Sequence, residues 1–173
     1  FVIFQCIGRK AGWLPAAATL AKKDPSDAPH ILCLPERPFE KEKFLNQVKR
    51  CYKDCGFVSI VCGEGLAFED GTPVSASQVK DKFDNIEFGA MGGTSVAVAL
   101  HSMISASFGF RGEFQITESL PMCAADRAVL QDIEEAFETG KAAVELAMQE
   151  KTGLMVTLNR KPGNKYEFYT GSI

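Results

Sequence analysis

Short apolar runs alternate with helical patterns in the first third of the chain. The first run, Phe1 to Cys6, opens with four apolar residues, as in a strand buried on both faces. Similar runs predict strands from His30 to Leu34 and from Phe57 to Cys62. Between the strands, apolar residues at helical spacing predict helices from Trp13 to Lys23 and from Lys41 to Cys55. This β-α-β-α-β order predicts an α/β fold: an open, mostly parallel sheet with right-handed crossovers and helices on both faces.

The rest of the chain is less regular. Residues 66–91 include a polar, Ser-rich stretch that predicts a surface excursion or, alternatively, a short helix. A helical pattern returns from Ser95 to Phe108. Beyond it we expect a half-buried strand from Arg111 to Thr117 and a long helical stretch from Cys123 to Gln149, bent or split at Gly140. Two closing strands should follow, from Leu154 to Leu158 and from Tyr166 to Tyr169, with the last pairing antiparallel at an edge. Residues 1–173 should form one lobe. A buried strand that starts at residue 1 suggests that this lobe is a fragment of a longer, two-lobe protein.

Composition and charge argue against several classes of function. Of the 173 residues, 46% are hydrophobic and 24% charged, as in a globular protein. The net charge is −3 and no Lys/Arg run contains interleaved aromatics, so nucleic acid is not an expected partner. No stretch approaches the roughly 18 apolar residues of a membrane span, and the opening run lacks a basic leader. The six cysteines lie mostly in apolar runs, which favours a reducing cytosol and a cytoplasmic protein.

The sequence predicts neither a metal site nor a catalytic nucleophile. Cys51 and Cys55 lie four residues apart on a predicted helix and could form half of a metal site. A structural zinc needs four ligands, however, and only His30 and His101 remain, with no second cysteine pair nearby. The same two histidines allow no Ser/His/Asp or Cys/His arrangement to be proposed from spacing. We therefore expect no metal ligands and no catalytic residues in this chain.

The most informative polar residues follow the first predicted strand. Ligands of open parallel sheets bind beyond the carboxyl ends of the strands. Here Gly8 permits a tight turn, the next helix offers free N–H groups, and Arg9 presents a planar guanidinium that suits phosphate oxygens. The segment thus predicts an anion site. The alternative is that Gly8 is only a turn residue and Arg9 a solvated or structurally paired cation.

Carboxylates follow the other two predicted strands. Glu64 stands between two glycines and could accept hydrogen bonds from sugar hydroxyls, or could be a solvated loop acid. Glu36 follows a proline and precedes Arg37, and we expect it to be structural. The pair Asp126-Arg127, near the start of the long helical stretch, is likewise expected to be a packing pair.

In order and identity these segments resemble the C-terminal half of phosphofructokinases, and the pyrophosphate-dependent branch in particular. The resemblance covers nearly the whole chain and is carried by GRKAGWLPAAATLA, HILCLPERPFEKEKFLNQVK, FVSIVCGEGL, DKFDNIEFG and DRAVLQDIEEAFETGKAAVELAMQEKTGLMVTLNR. It implies a substrate-binding lobe of a cytoplasmic glycolytic enzyme that transfers a phosphoryl group to the 1-hydroxyl of fructose 6-phosphate. Pyrophosphate is the implied donor, less readily ATP, with magnesium as cofactor and a homo-oligomer as the full-length assembly.

The resemblance also implies roles for individual residues. Gly8 and Arg9 would contact the sugar phosphate and Glu64 the fructose hydroxyls. The catalytic aspartate, the magnesium ligands and the donor site belong to the family's other half, so this chain alone should bind weakly and turn over nothing.

One segment departs from the family. The family usually carries a Gln-Arg segment that grips the 6-phosphate, and this chain has ITESLPMCAADR there, so Arg111 is the candidate replacement cation. The departure leaves an alternative open: a non-catalytic regulatory or subunit-interaction domain that binds a phosphorylated metabolite. A generic dinucleotide-binding domain is disfavoured because no G-x-G-x-x-G follows the first strand.

Overall fold

The computed structural model describes residues 1–75, 82, 95–117 and 120–173. The chain divides into two compact units, Phe1–Pro121 (unit 1) and Met122–Ile173 (unit 2), and each is described by itself. Within the described residues, no helix is long and apolar enough to cross a membrane. The expectation that residues 1–173 form one lobe of a longer protein stays a prediction.

Unit 1 is built on a four-stranded sheet in the order β2-β3-β1-β4. Its strands are β1 (Val2–Cys6), β2 (Ile31–Cys33), β3 (Ser59–Gly63) and β4 (Glu113–Ile116). All neighbouring pairs are parallel, with Ile3 beside both Ile60 and Phe114. The predicted α/β fold with a mostly parallel sheet is confirmed. Because every strand points the same way, the loops that follow β1, β2 and β3 emerge at one end of the sheet.

The helices of unit 1 cover both faces of this sheet. α1 (Trp13–Ala17) contacts β1, β2 and β3, whereas α2 (Lys41–Cys55) and α3 (Val96–Phe108) contact each other. α3 also packs on β1, and the Ala97 N–H donates to the buried Gln5 side chain at 2.9 Å. The right-handed crossover from β1 to β2 places α1 on the opposite face from the crossover that contains α2.

The predicted helices agree with the structure where local signals are strong. α2 has the predicted bounds, and Gly56 ends it in the left-handed conformation at φ 76°. The predicted helix from Trp13 to Lys23 is shorter, because α1 passes into a 3-10 turn, Ala18–Ala21, and Lys22 is extended. The Lys22 ammonium donates to the carbonyls of Asp27 and Pro29, which ties the chain into a turn before β2.

The core of unit 1 lies between the sheet and the α2–α3 layer. It includes Ile3, Ile60, Val48, Leu100 and Ile104, all fully buried. Leu66 and Val74, at the start of the predicted surface excursion, also belong to this core, and Ala67 forms an isolated bridge with Pro73. Residues 76–81 and 83–91 of that predicted excursion lie outside the described residues.

Unit 2 consists of one long helix and a β-hairpin. Two 3-10 turns, Leu120–Cys123 and Ala125–Arg127, precede α4 (Leu130–Met148), so the predicted helical stretch begins later than expected. The predicted split at Gly140 is wrong, because α4 continues through it, and the alternative of a bend there stays a prediction. β5 (Val156–Arg160) and β6 (Phe168–Ser172) pair antiparallel as predicted, but in a two-stranded sheet of their own.

Candidate functional site

Three loops meet at the carboxyl end of the unit 1 sheet. They follow β1, β2 and β3 and contain residues 7–12, 34–37 and 64–66. Gly63 shows how closely they approach: a Cβ there would lie 3.1 Å from a Pro35 ring carbon and 3.6 Å from the Gly8 carbonyl oxygen. We call the group Gly8, Arg9, Gly12, Glu36 and Glu64 the strand-end site.

Gly8 has the backbone conformation that the loop after β1 requires. Its φ is +130°, a region that favours glycine, and a Cβ would lie 2.6 Å from the Ala11 carbonyl oxygen. The Gly8 N–H donates to Glu64 Oε1 at 3.1 Å. Gly8 is therefore both the turn residue that the sequence predicts and the point at which this loop is bound to the loop after β3.

Glu64 is held from two sides. Its own N–H donates to the Cys6 carbonyl at 3.2 Å, and its Oε1 accepts the Gly8 N–H. The residue is half-buried, and among the described residues no hydrogen-bond donor is recorded for the second carboxylate oxygen, Oε2. The side chain is thus not a freely solvated loop acid. It orients the loop after β1 through one carboxylate oxygen.

Arg9 lies at the same end of the sheet as Glu64. Gly65 packs against the Arg9 backbone so tightly that a Cβ on Gly65 would overlap the Arg9 carbonyl oxygen. The Arg9 residue itself is exposed. The structure therefore brings together the guanidinium-bearing residue and the carboxylate that the sequence predicted as parts of one site.

Glu36 takes part in the same arrangement. The Gly12 N–H donates to Glu36 Oε1 at 2.6 Å, across 24 residues of sequence. The sequence predicted a structural role for Glu36 but not its partner. The only available signal was that Glu36, like Glu64, follows a strand whose carboxyl end lies near the glycine-containing loop.

Arg111 does not join the site. The Phe1 amino group donates to the Arg111 carbonyl at 3.3 Å, so Arg111 lies at the amino end of the sheet, just before β4. β1 pairs in parallel with β4, and its five residues separate the two ends by roughly 15 Å at about 3.3 Å per residue. We expected Arg111 to lie in one binding site with Gly8, Arg9 and Glu64, but the structure places it at the opposite end of the sheet.

The histidines and the pair Asp126-Arg127 have structural surroundings. His30 Nδ1 accepts the Ser59 N–H at 2.9 Å, and the His101 ring lies against those of Phe1 and Phe114. In unit 2, the Asp126 carboxylate and the Arg127 guanidinium form an exposed pair at 3.1 Å. No group of three or more metal-binding side chains occurs in the described ranges.

The thiols near the strand ends are poor nucleophiles. Burial raises the pKa of Cys33 to about 12 and raises that of Cys62 well above its ordinary value. The pKa of the half-buried Cys6 is raised for the same reason. The chemistry that this end of the sheet offers is consequently recognition by a guanidinium, backbone N–H groups and carboxylate oxygens.

The sequence of the chain is similar to those of known enzymes. No protein-family model matches the chain. It is 31% identical over 164 residues to a pyrophosphate–fructose 6-phosphate 1-phosphotransferase of Halomonas elongata, covering 95% of the chain and 38% of that protein. The protein of the same name from Xanthomonas campestris pv. campestris is 32% identical, with 96% and 39% covered. The chain thus spans less than two fifths of the length of these two relatives.

Two solved structures of pyrophosphate-dependent phosphofructokinases are also similar to the chain. The pyrophosphate-dependent phosphofructokinase of Marinobacter aquaeolei superimposes with a TM-score of 0.67 at 32% identity, covering 99% of the chain and 38% of that structure. The corresponding enzyme of Nitrosospira multiformis gives a TM-score of 0.65 at 30% identity, with the same coverage.

Proposed function

We propose that this chain, which belongs to the phosphofructokinase family, supplies the fructose 6-phosphate-binding part of a pyrophosphate-dependent enzyme. The observation that carries the proposal is the meeting of the Gly8-Arg9 segment with Glu64 at one end of the sheet, through the Gly8 N–H and Glu64 Oε1. A sugar phosphate needs a cation for its phosphate and an oxygen acceptor for its hydroxyls, and the strand-end site contains both.

Each residue has a distinct task in this proposal. Arg9 donates to the phosphate oxygens of the sugar. Glu64 Oε2 accepts a hydrogen bond from a fructose hydroxyl, while its Oε1 stays on the Gly8 N–H. These contacts bind and orient the acceptor sugar, so that its 1-hydroxyl can be presented to a phosphoryl donor.

The donor, the metal and the assembly are proposed from the family. Pyrophosphate is the proposed donor, in a cytoplasmic glycolytic enzyme that works as a homo-oligomer. Magnesium would neutralise charge on the transferring phosphoryl group. The family resemblance places the magnesium ligands and the catalytic base in the other half of the enzyme.

Phosphorylation of fructose 6-phosphate by the protein that carries this chain tests the proposal. We expect activity with pyrophosphate, and Arg9→Ala should raise the KM for fructose 6-phosphate by about 10- to 100-fold, the value of a charged hydrogen bond. Arg50→Ala, on the exposed side of α2, is the matched control and should behave as the wild type. Absence of activity with both pyrophosphate and ATP would refute the proposed enzymatic function. An unchanged KM for fructose 6-phosphate in Arg9→Ala would refute the proposed role of Arg9 in binding the sugar phosphate.

A second function is a non-catalytic domain that binds a phosphorylated metabolite. It is favoured by the segment ITESLPMCAADR, which lacks the family's Gln-Arg, and by the position of Arg111 at the other end of the sheet. Calorimetric binding of fructose 6-phosphate without turnover would support this function over the enzymatic one.

A further inference from the structure

The amide of Gly12 is buried and has one specific partner. Gly12 precedes α1 directly, and no side chain caps that helix in the usual way. Its N–H donates instead to Glu36 Oε1 at 2.6 Å, a short, charge-assisted hydrogen bond. A buried N–H without an acceptor is costly, so removal of the Glu36 carboxylate should release this end of the loop.

The space around Gly12 is shaped for this contact. A Cβ at position 12 would lie 2.7 Å from Glu36 Oε2 and 3.0 Å from a Leu34 methyl carbon. The glycine thus lets the carboxylate approach the backbone from the side of β2. Glu36 is itself exposed, so it is the hydrogen bond to the Gly12 N–H, rather than burial, that holds its carboxylate at this position.

Glu36 and Glu64 bind the two ends of the same loop. Glu64 follows β3 and holds Gly8, while Glu36 follows β2 and holds Gly12. Arg9 lies between these two attachment points. We propose that Glu36 is a positioning residue for the sugar-phosphate site: by binding the Gly12 N–H, it holds the loop in the conformation that presents Arg9 to the phosphate. This inference rests on the proposed function of the strand-end site.

Two substitutions at position 36 separate positioning from direct ligand contact. Glu36→Ala removes the acceptor and should raise the KM for fructose 6-phosphate about tenfold, with the KM for the phosphoryl donor unchanged. Glu36→Gln keeps a side-chain oxygen for the Gly12 N–H and should restore the KM to within about threefold of the wild type. Glu42→Ala, an exposed glutamate on α2, is the matched control.

Hydrogen exchange of the Gly12 amide gives a readout that does not depend on activity. In Glu36→Ala it should accelerate about tenfold, and in Glu36→Gln it should stay near the wild-type rate. Equal KM values and equal Gly12 exchange in all variants would overturn the inference. A Glu36→Gln variant as impaired as Glu36→Ala would also overturn it, because it would show that the charge acts on the ligand. If the wild type fails to bind fructose 6-phosphate, the proposed function fails, while amide exchange still decides whether Glu36 holds the loop.

Discussion

The two ends of the unit 1 sheet secure their connecting segments with different groups. At the carboxyl end, the carboxylates of Glu36 and Glu64 accept N–H groups of glycines from a neighbouring loop. At the amino end, imidazole rings do this work: His30 bonds the Ser59 N–H and lies edge-on to Phe57 at 4.8 Å, and His101 bonds the Gly112 carbonyl.

The difference separates recognition from packing. An aromatic ring whose nitrogens are committed to backbone groups fills space and offers little to a ligand. A carboxylate that uses one oxygen on the backbone keeps a second acceptor. We call the carboxyl end, where ligands of open parallel sheets bind and where the proposed site lies, the recognition end.

The largest expected effect concerns the thiols beneath the carboxyl end. Burial raises the pKa of Cys33 from 9.0 to about 12, which lowers its thiolate fraction near neutral pH about 1,000-fold. We expect iodoacetamide to label Cys33 at least that much more slowly in the folded protein than in urea, measured by peptide mass spectrometry. Rapid labelling of Cys33 in the folded protein would mean that thiol chemistry is available at the recognition end.

The next prediction concerns the close contact between the loops after β1 and β3 at the carboxyl end of the sheet. In Gly65→Ala the added methyl group overlaps the Arg9 carbonyl, so the loops after β1 and β3 must move apart. We expect fructose 6-phosphate affinity to fall about 100-fold, because a displacement near 1 Å suffices for such a loss. Calorimetry measures it. Gly140→Ala is the control, since a Cβ there meets nothing within 4 Å. Unchanged affinity in Gly65→Ala would show that the loops need not touch for binding.

At the amino end, a substitution should affect stability and spare binding. His30→Ala leaves the Ser59 N–H without its acceptor and should lower the free energy of unfolding by about 1–3 kcal/mol. Urea denaturation measures this, and His30→Asn, which keeps an acceptor, should lose less. Fructose 6-phosphate affinity should stay within about twofold of the wild type in both. A large loss of affinity would contradict the division between the two ends.

The smallest effect is expected in the turn before β2, and it depends on pH. Hydrogen bonds from the N–H groups of Lys23 and Asp24 hold the pKa of Asp27 below its ordinary value. The ionised carboxylate therefore stabilises the folded state above the unfolded pKa, and this contribution disappears as pH falls through the folded pKa. Asp27→Asn should melt slightly below the wild type at neutral pH, with the gap closing in acid. Thermal melting followed by circular dichroism checks this, and a gap that persists in acid would contradict it.

Local signals in the sequence predicted the elements that depend on local interactions. The bounds of α2 agree because Phe44, Leu45 and Val48 share one helical face and Gly56 ends the helix. Gly140 shows the limit of such reasoning. A glycine costs about 1 kcal/mol within a helix, yet α4 continues through it while packing on β5 and β6. Tertiary contacts outweigh a penalty of that size.

The candidate site divides in the same way. Gly8, Arg9 and Glu64 were predicted because residues after parallel strands converge at one end of a sheet. The bond between Glu36 and the Gly12 N–H could not be predicted, since 24 residues separate the partners and the contact depends on strand order. Arg111 was misplaced because its sequence position does not show which end of the sheet it lies on.

By itself, the sequence determined the alternation of strands and helices, the parallel sheet and the polar residues that follow each strand, because these depend on side-chain periodicity and chain direction. Only the tertiary structure decided which glycine amide each carboxylate binds and that Arg111 lies at the far end. Hydrogen bonds between distant loops form only when strand order brings their atoms within about 3 Å. The hydrophobic periodicity of the sequence does not specify that order.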